Sequence, residues 1–177
     1  MALIVETGVG VQGSESYAAI TAIDAYWLAR QHIALAATWA ATTIANKEGS
    51  AREASAFLDA VYGRFYRGQR AGYVQGLEWP RSGALDDAGY ALPSLPPQLV
   101  AACCELAGRA VSAPLAADLT IDGVVKRKRE TVGPITEETE YVDGAGRFSR
   151  YGAIDGILSA ILNGSQPIAG NNTWNWR

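Results

Sequence analysis

Between the paired prolines Pro96 and Pro97 and the later Pro114 runs a stretch in which Val100, Cys104, Ala107 and Val111 recur at helical spacing, with few polar residues on any side. Proline is well suited to a first helical turn, because its missing N–H would have no intrahelical acceptor there. A helix that is apolar nearly all round belongs in an interior rather than on a surface. The spacing therefore predicts a helix from about Pro97 to Val111 at the centre of the fold, with the other elements packed about it.

Those other elements follow from the same periodicity. Thr21 is placed to cap a helix running to about Arg30, with Ile20, Ile23, Tyr26 and Trp27 on its apolar side. A small-residue stretch follows at Ala36 to Ala45. Ala54, Phe57, Leu58, Val61 and Tyr62 then mark a second helix that ends before Gly63. Its start is either a capping box at Ser50 and Glu53 or an earlier point that takes in Lys47 and Glu48. Gly63 to Pro97 shows no sustained period and reads as a long ordered excursion, held down by its tryptophan and tyrosines. Val124 to Val142 alternates like a β-hairpin about Gly133 and Pro134. With a two-residue turn there, Arg129 faces Glu138, Arg127 faces Glu140 and Val125 faces Val142. Ile154, Ile157, Leu158, Ile161 and Leu162 give a last helix from Gly152 to about Asn163.

The predicted fold is mainly α: a compact bundle of about four helices with a protruding antiparallel β-hairpin and an extended C-terminal tail. Residues 1–164 form one helical domain with the hairpin inserted at about 124–142, and residues 165–177 form a docking tail. A chain of 177 residues with 49% hydrophobic and 19% charged residues has ample material for one core. Met1 to Thr7 lacks the features of a secretory signal. The uncharged stretch Ile33 to Ala45 falls well short of the roughly 20 residues that span a bilayer. Cys103 and Cys104 are adjacent within a predicted helix, where they cannot easily bridge each other. A soluble protein made in a reducing cytoplasm, with no membrane partner, is the expectation.

Few residues offer chemistry. Gly8, Gly10 and Gly13 match the G-x-G-x-x-G spacing that sets a pyrophosphate on a helix N-terminus, but no βαβ pattern follows. The glycines are expected to serve a surface loop. His32 is the single histidine, placed to meet carbonyls at the end of the first helix, and Asp86-Asp87 and Glu137-Glu138 read as solvated acids. No catalytic residue, metal ligand or cofactor site is predicted. The net charge of −3 confines any affinity for nucleic acid to a local patch.

Two such patches are present. Lys126, Arg127, Lys128 and Arg129 form a basic run, although Lys126 to Glu140 holds four basic and four acidic residues and the hairpin register opposes them. Arg64, Arg67 and Arg70 alternate with Tyr62, Phe65, Tyr66 and Tyr73, a mix suited to base stacking along a backbone or to a protein interface. The tail adds Trp174 and Trp176, flanking Asn175 before Arg177. Two exposed indoles forgo several kcal/mol at about 25 cal/mol per Å², so they are expected to dock, on a partner or on the chain's own core.

The segments Leu3-Ile4-Val5-Glu6, Ser16-Tyr17, Ala22 to Tyr26, Leu58-Asp59 with Tyr62, and Trp79-Pro80-Arg81 carry a likeness that continues through the rest of the chain. Pro96 or Pro97 opening an Ala-rich helix, Gly123 to Lys126, Val132-Gly133-Pro134-Ile135, and Tyr151 with Ala153 to Leu158 extend it. In these the chain resembles a family of tailed-phage proteins known as DnaT-like single-stranded-DNA-binding proteins, which includes subunits of the head-to-tail connector. The resemblance implies a non-enzymatic virion adaptor in the phage neck: a homo-oligomer, as a twelve-subunit ring, docked on the portal protein and on a downstream head-completion or tail-terminator protein. Packaged DNA would be present only as channel contents. Trp174, Trp176 and Arg177 would then dock on the portal or a neighbouring subunit. Arg64, Arg67, Arg70 and Lys126 to Arg129 would line a subunit interface or the DNA channel. The alternative implied by the family is a single-stranded-DNA-binding protein acting in phage replication.

Overall fold

A computed structural model describes residues 2–116, 125–131, 136–141 and 151–163. The fold is mainly α, with five α-helices among the described residues: α1 (Ile20–Leu28), α2 (Ala34–Ala41), α3 (Ile44–Tyr62), α4 (Pro97–Ala110) and α5 (Gly152–Leu158). Two short strands, β1 (Gln69–Arg70) and β2 (Arg81–Ser82), pair antiparallel, and so do β3 (Val125–Thr131) and β4 (Thr136–Tyr141). The chain divides into two compact units, Met1–Leu115 with Arg150–Gln166, and Ala116–Ser149 with Pro167–Arg177. All five helices belong to the first unit and the β3–β4 hairpin to the second. No helix among the described residues is long and apolar enough to cross a membrane.

Helix α4 occupies the position its composition predicts, packing against α1, α2, α3 and α5. Leu99, Ala102, Cys103, Cys104, Leu106, Ala107 and Gly108 are all buried in it. The two cysteines are free, and Cys103 Sγ lies 3.4 Å from Ser55 Oγ on α3. Trp27 of α1 lies over α4 and donates its indole N–H to the Cys104 carbonyl at 3.0 Å. The ring fills the space beside Gly108, where an added Cβ would come within 2.3 Å of the indole. Any side chain at this position would push α1 away from α4.

Helix α1 begins at Ile20 with no side-chain cap, so Thr21 does not cap it. Its entry is set by tertiary contacts instead: Ser55 Oγ of α3 accepts the Tyr17 amide at 3.1 Å, and Ser16 Oγ donates to the Ala18 carbonyl. At the far end Arg30, not His32, meets the terminal carbonyls, donating to Tyr26 O at 2.9 Å with its guanidinium over the Tyr26 ring. His32 is exposed in the turn that follows.

The small-residue stretch predicted at 36–45 holds most of helix α2 and the start of α3, and the bundle has one helix more than expected. Alanine favours helix intrinsically, but a run of alanines offers no polar–apolar contrast to read. Trp39 is its anchor, buried with its indole N–H donated to Asp24 of α1 at 2.8 Å. The same Asp24 oxygen accepts Lys47 Nζ of α3 at 2.7 Å. Helix α3 correspondingly starts at Ile44, with Thr43 accepting the Asn46 amide, which is the earlier of the two starts considered. Ser50 is buried within that helix, and Glu53 accepts the Leu115 amide at 2.7 Å, so neither residue forms a capping box.

In the hairpin Arg127 pairs with Glu140 and Arg129 with Glu138, as predicted. Val125 pairs with Tyr141 rather than Val142, because one extra residue, Lys126, intervenes between the Val125 and Arg127 pairs. The expected turn at Gly133 and Pro134 lies outside the described residues.

The contact between Trp27 and Gly108 sets one expectation for stability. Alanine would gain up to about 1 kcal/mol of helix propensity over glycine, whereas overpacking costs about 1–3 kcal/mol. Gly108→Ala should therefore destabilise by about 1–2 kcal/mol, with a Tm lower by roughly 2–8 °C for a chain of this size. Thermal denaturation followed by circular dichroism measures it, and a raised Tm would show that the indole moves aside freely.

Candidate nucleic-acid interface

The glycine loop is already occupied by an anion from the chain itself. Glu6 is 1% exposed, and its Oε1 accepts the amides of Thr7, Gly8, Val9 and Gly10 at 2.8–3.1 Å. Its Oε2 accepts the Val11 amide at 2.9 Å and the Ser14 hydroxyl. Gly8 and Gly10 make this possible with φ of +93° and +80°, which turn successive N–H groups inward. A pyrophosphate would have to displace a carboxylate covalently tethered to the loop. The expectation of a non-nucleotide loop agrees with this geometry, although the buried acid that organises it was not read from the sequence.

The arginine–aromatic series of the excursion divides into structural and exposed members. Tyr62 and Tyr66 are buried, and Tyr66 meets Trp79 edge-on with ring centroids 6.0 Å apart. Arg67 is a brace: it donates to the carbonyls of Leu162 and Leu85 at 3.0 Å and pairs with Asp87. Arg81 is another, donating to the carbonyls of Arg67 and Gly68 and pairing with Glu78 at 3.1 Å. Arg70 is only partly engaged: its side chain is 41% exposed, one N–H is donated to the Gln75 carbonyl at 2.7 Å, and its Nε pairs with Glu78 at 4.0 Å. Arg64 is exposed and stacks its guanidinium over Phe65 at 4.5 Å. Among the described residues no carboxylate lies within ion-pair distance of Arg64.

Arg64, Gln69, Arg70, Glu78 and Arg81 line an open depression of about 610 Å³, with Asp59 and Gly63 beneath them. Asp59 accepts the Tyr17 hydroxyl at 2.5 Å and the Glu78 amide at 3.0 Å, while the Tyr17 oxygen accepts the Trp79 amide at 3.2 Å. Burial lifts the Asp59 carboxyl from 3.8 to about 6, against the two hydrogen bonds that favour its charged form. Beyond the depression the loop after β1 exposes Tyr73 to 97% and Val74 to 64%.

The remaining candidates do not join this surface. The hairpin register sets Arg127 and Arg129 across from acidic residues and Lys128 across from Thr139. Trp174, Trp176 and Arg177 lie outside the described residues.

The model of a family described as "Putative DnaT-like ssDNA binding protein" matches residues 1–173. The chain belongs to that family. No curated protein and no solved structure matches it.

Membership in the DnaT-like family corrects the expectation of a head-to-tail connector. The family is described by single-stranded DNA, not by a portal or tail, and the portal protein, the head-completion or tail-terminator partner and the twelve-subunit ring fall with that reading. The physical reason is visible in the residues that carried the likeness. Leu58, Tyr62 and Trp79 are 0% exposed and Tyr17 is 1% exposed. Core residues specify a fold and carry no information about what the surface meets.

Two expectations follow from Glu6 and Asp59. Glu6→Ala would leave five amides without their acceptor, and at about 1–3 kcal/mol for each donor that stays buried the loss should reach about 3 kcal/mol or more. Urea denaturation measures it, and a change below about 1 kcal/mol would mean that water replaces the carboxylate. At Asp59 the folded state holds a proton that the unfolded chain releases near 3.8. Its contribution to stability should fall as pH rises from about 4 to about 6 and level off above. The stability difference between the native chain and Asp59→Asn, measured at pH 4 and pH 7, should shrink accordingly, and a difference independent of pH would contradict the shift.

Proposed function

We propose that this chain binds single-stranded DNA, with the sugar–phosphate backbone running past Arg64 and Arg70. The family description supports the ligand, and the observation that carries the placement is Arg64: an exposed guanidinium, 4.5 Å from the centre of the Phe65 ring, with no carboxylate within ion-pair distance among the described residues. Arg70 supplies a second donor among the residues that line the same depression. Arginine suits this task because its planar fork meets phosphate oxygens in pairs. The role is binding rather than catalysis, in keeping with an accessory part in phage replication.

The depression itself brings three guanidinium groups against the carboxylates of Asp59 and Glu78, and the whole chain carries −3. Long-range attraction is therefore weak, and affinity depends on a few local contacts that salt can screen. Binding should be insensitive to base sequence, since backbone contacts carry no sequence information.

Fluorescence anisotropy of a labelled dT oligonucleotide, titrated with protein at several salt concentrations, tests the proposal. Affinity should fall as salt rises and should exceed that for a duplex of equal length. Arg64→Ala should weaken binding and reduce the slope of log K against log salt by about 0.7, the value of one single-strand phosphate contact. Absence of measurable binding at low salt would remove the proposal.

A further inference from the structure

We infer that Tyr73 is the base-stacking residue of the proposed single-strand site, and that Tyr90, similarly exposed on a second loop, is not. This rests on the reading of the chain as a single-strand binder and adds to it the residue that would separate bases from bare phosphates.

Tyr73 stands 97% exposed on a loop that is internally fixed. Gln75, 4% exposed, organises it: its Oε1 accepts the Gly72 amide at 2.8 Å, and its Nε2 donates to the carbonyls of Leu77 and Pro80. Arg70 donates to the Gln75 carbonyl, Ala71 donates its amide to Pro80 O, and Gly76 donates to Val11 O. A large aromatic ring presented to water on a braced backbone loses little freedom when it meets a flat ligand. Every nucleobase offers such a face, and stacking on it is indifferent to sequence. The arginine nearest in the chain, Arg70, already lines the depression proposed for the phosphates.

Tyr90 has the same exposure class and the opposite electrostatics. It is 73% exposed on a loop closed by the Leu85–Ala91 bridge, where Asp86 accepts the amides of Ala88 and Tyr90. Asp87, 87% exposed in its side chain, stands beside Asp86. Arg67 offsets one of these charges and leaves the loop with an excess of acid. A phosphate chain brought to Tyr90 would meet repulsion that it does not meet at Tyr73.

Four proteins and two ligands test this: the native chain, Tyr73→Leu, Tyr73→Phe and Tyr90→Leu, each titrated against a dT oligonucleotide and against an abasic oligonucleotide with the same number of phosphates. Both tyrosines are exposed, so all four should fold alike, as circular dichroism will verify. The native chain should bind dT about tenfold more tightly than the abasic strand, in the range for one stacked base. Tyr73→Leu should lose that preference, Tyr73→Phe should keep it, and Tyr90→Leu should match the native chain. Equal affinity of the native chain for both ligands, with salt dependence intact, overturns the stacking role and leaves single-strand binding standing. Unchanged preference in Tyr73→Leu also overturns it and leaves the preference to another residue. Failure of the native chain to bind either ligand removes both readings together.

Discussion

The phenol of Tyr17 occupies the place where three parts of the chain meet. It donates to Asp59 on α3 and accepts the amide of Trp79 in the excursion, while Asp59 also accepts the neighbouring amide of Glu78. The segment before α1, the longest helix and the irregular region beyond it are thus joined through the buried Tyr17 and the half-buried Asp59. Trp79 and Tyr66 pack beside this knot, and Arg67 and Arg81 fasten the backbone around it. The excursion has little regular secondary structure to hold it. Its order comes largely from the polar groups of Arg67, Gln75 and Arg81, which are expensive to bury alone and find backbone carbonyl partners here, while the Trp79 indole N–H stays buried without one.

That division explains how the arginines of one short stretch come to do different work. Arg67 and Arg81 spend their donors on backbone carbonyls, which makes them part of the scaffold. Arg70 holds the Tyr73 loop with one N–H and keeps the rest of its side chain half-exposed, and Arg64 leans on an aromatic face and remains open. A sequence reading that treats the series as one basic patch overcounts its free charge, because Arg67 pairs with Asp87 and Arg70 pairs with Glu78 at 4.0 Å. The exposed pair lines a depression together with Asp59, Glu78 and Arg81, so its positive charge is partly offset there.

What could be read from the sequence was whatever rests on local periodicity. The position of α4, the start of the last helix at Gly152 and the Arg127–Glu140 and Arg129–Glu138 pairs follow from spacing alone, although that helix ends at Leu158 and gives way to a 3-10 turn rather than running on to Asn163. What escaped depends on residues distant in the chain. The early start of α3 is held by Lys47 reaching Asp24, and α2 is held by Trp39 reaching the same carboxylate. The extra residue at Lys126 that shifts the Val125 pair leaves no mark in the alternation of residue types. The site was legible in composition and illegible in geometry: nothing in the spacing of Arg67 reveals that the carbonyls of Leu85 and Leu162 are waiting for it. The likeness to phage proteins located the family correctly and its partner wrongly, because the residues that carried it are mostly interior.

Glu6 within its glycine loop has a bearing on how such a fold behaves in a cell. Loops that gather backbone amides around an anion normally draw that anion from solution and share the fluctuations of its supply. Here the anion is part of the chain, at an effective concentration that dilution cannot change. The N-terminal loop is therefore insulated from nucleotide and phosphate levels, because its anion is supplied by Glu6 itself.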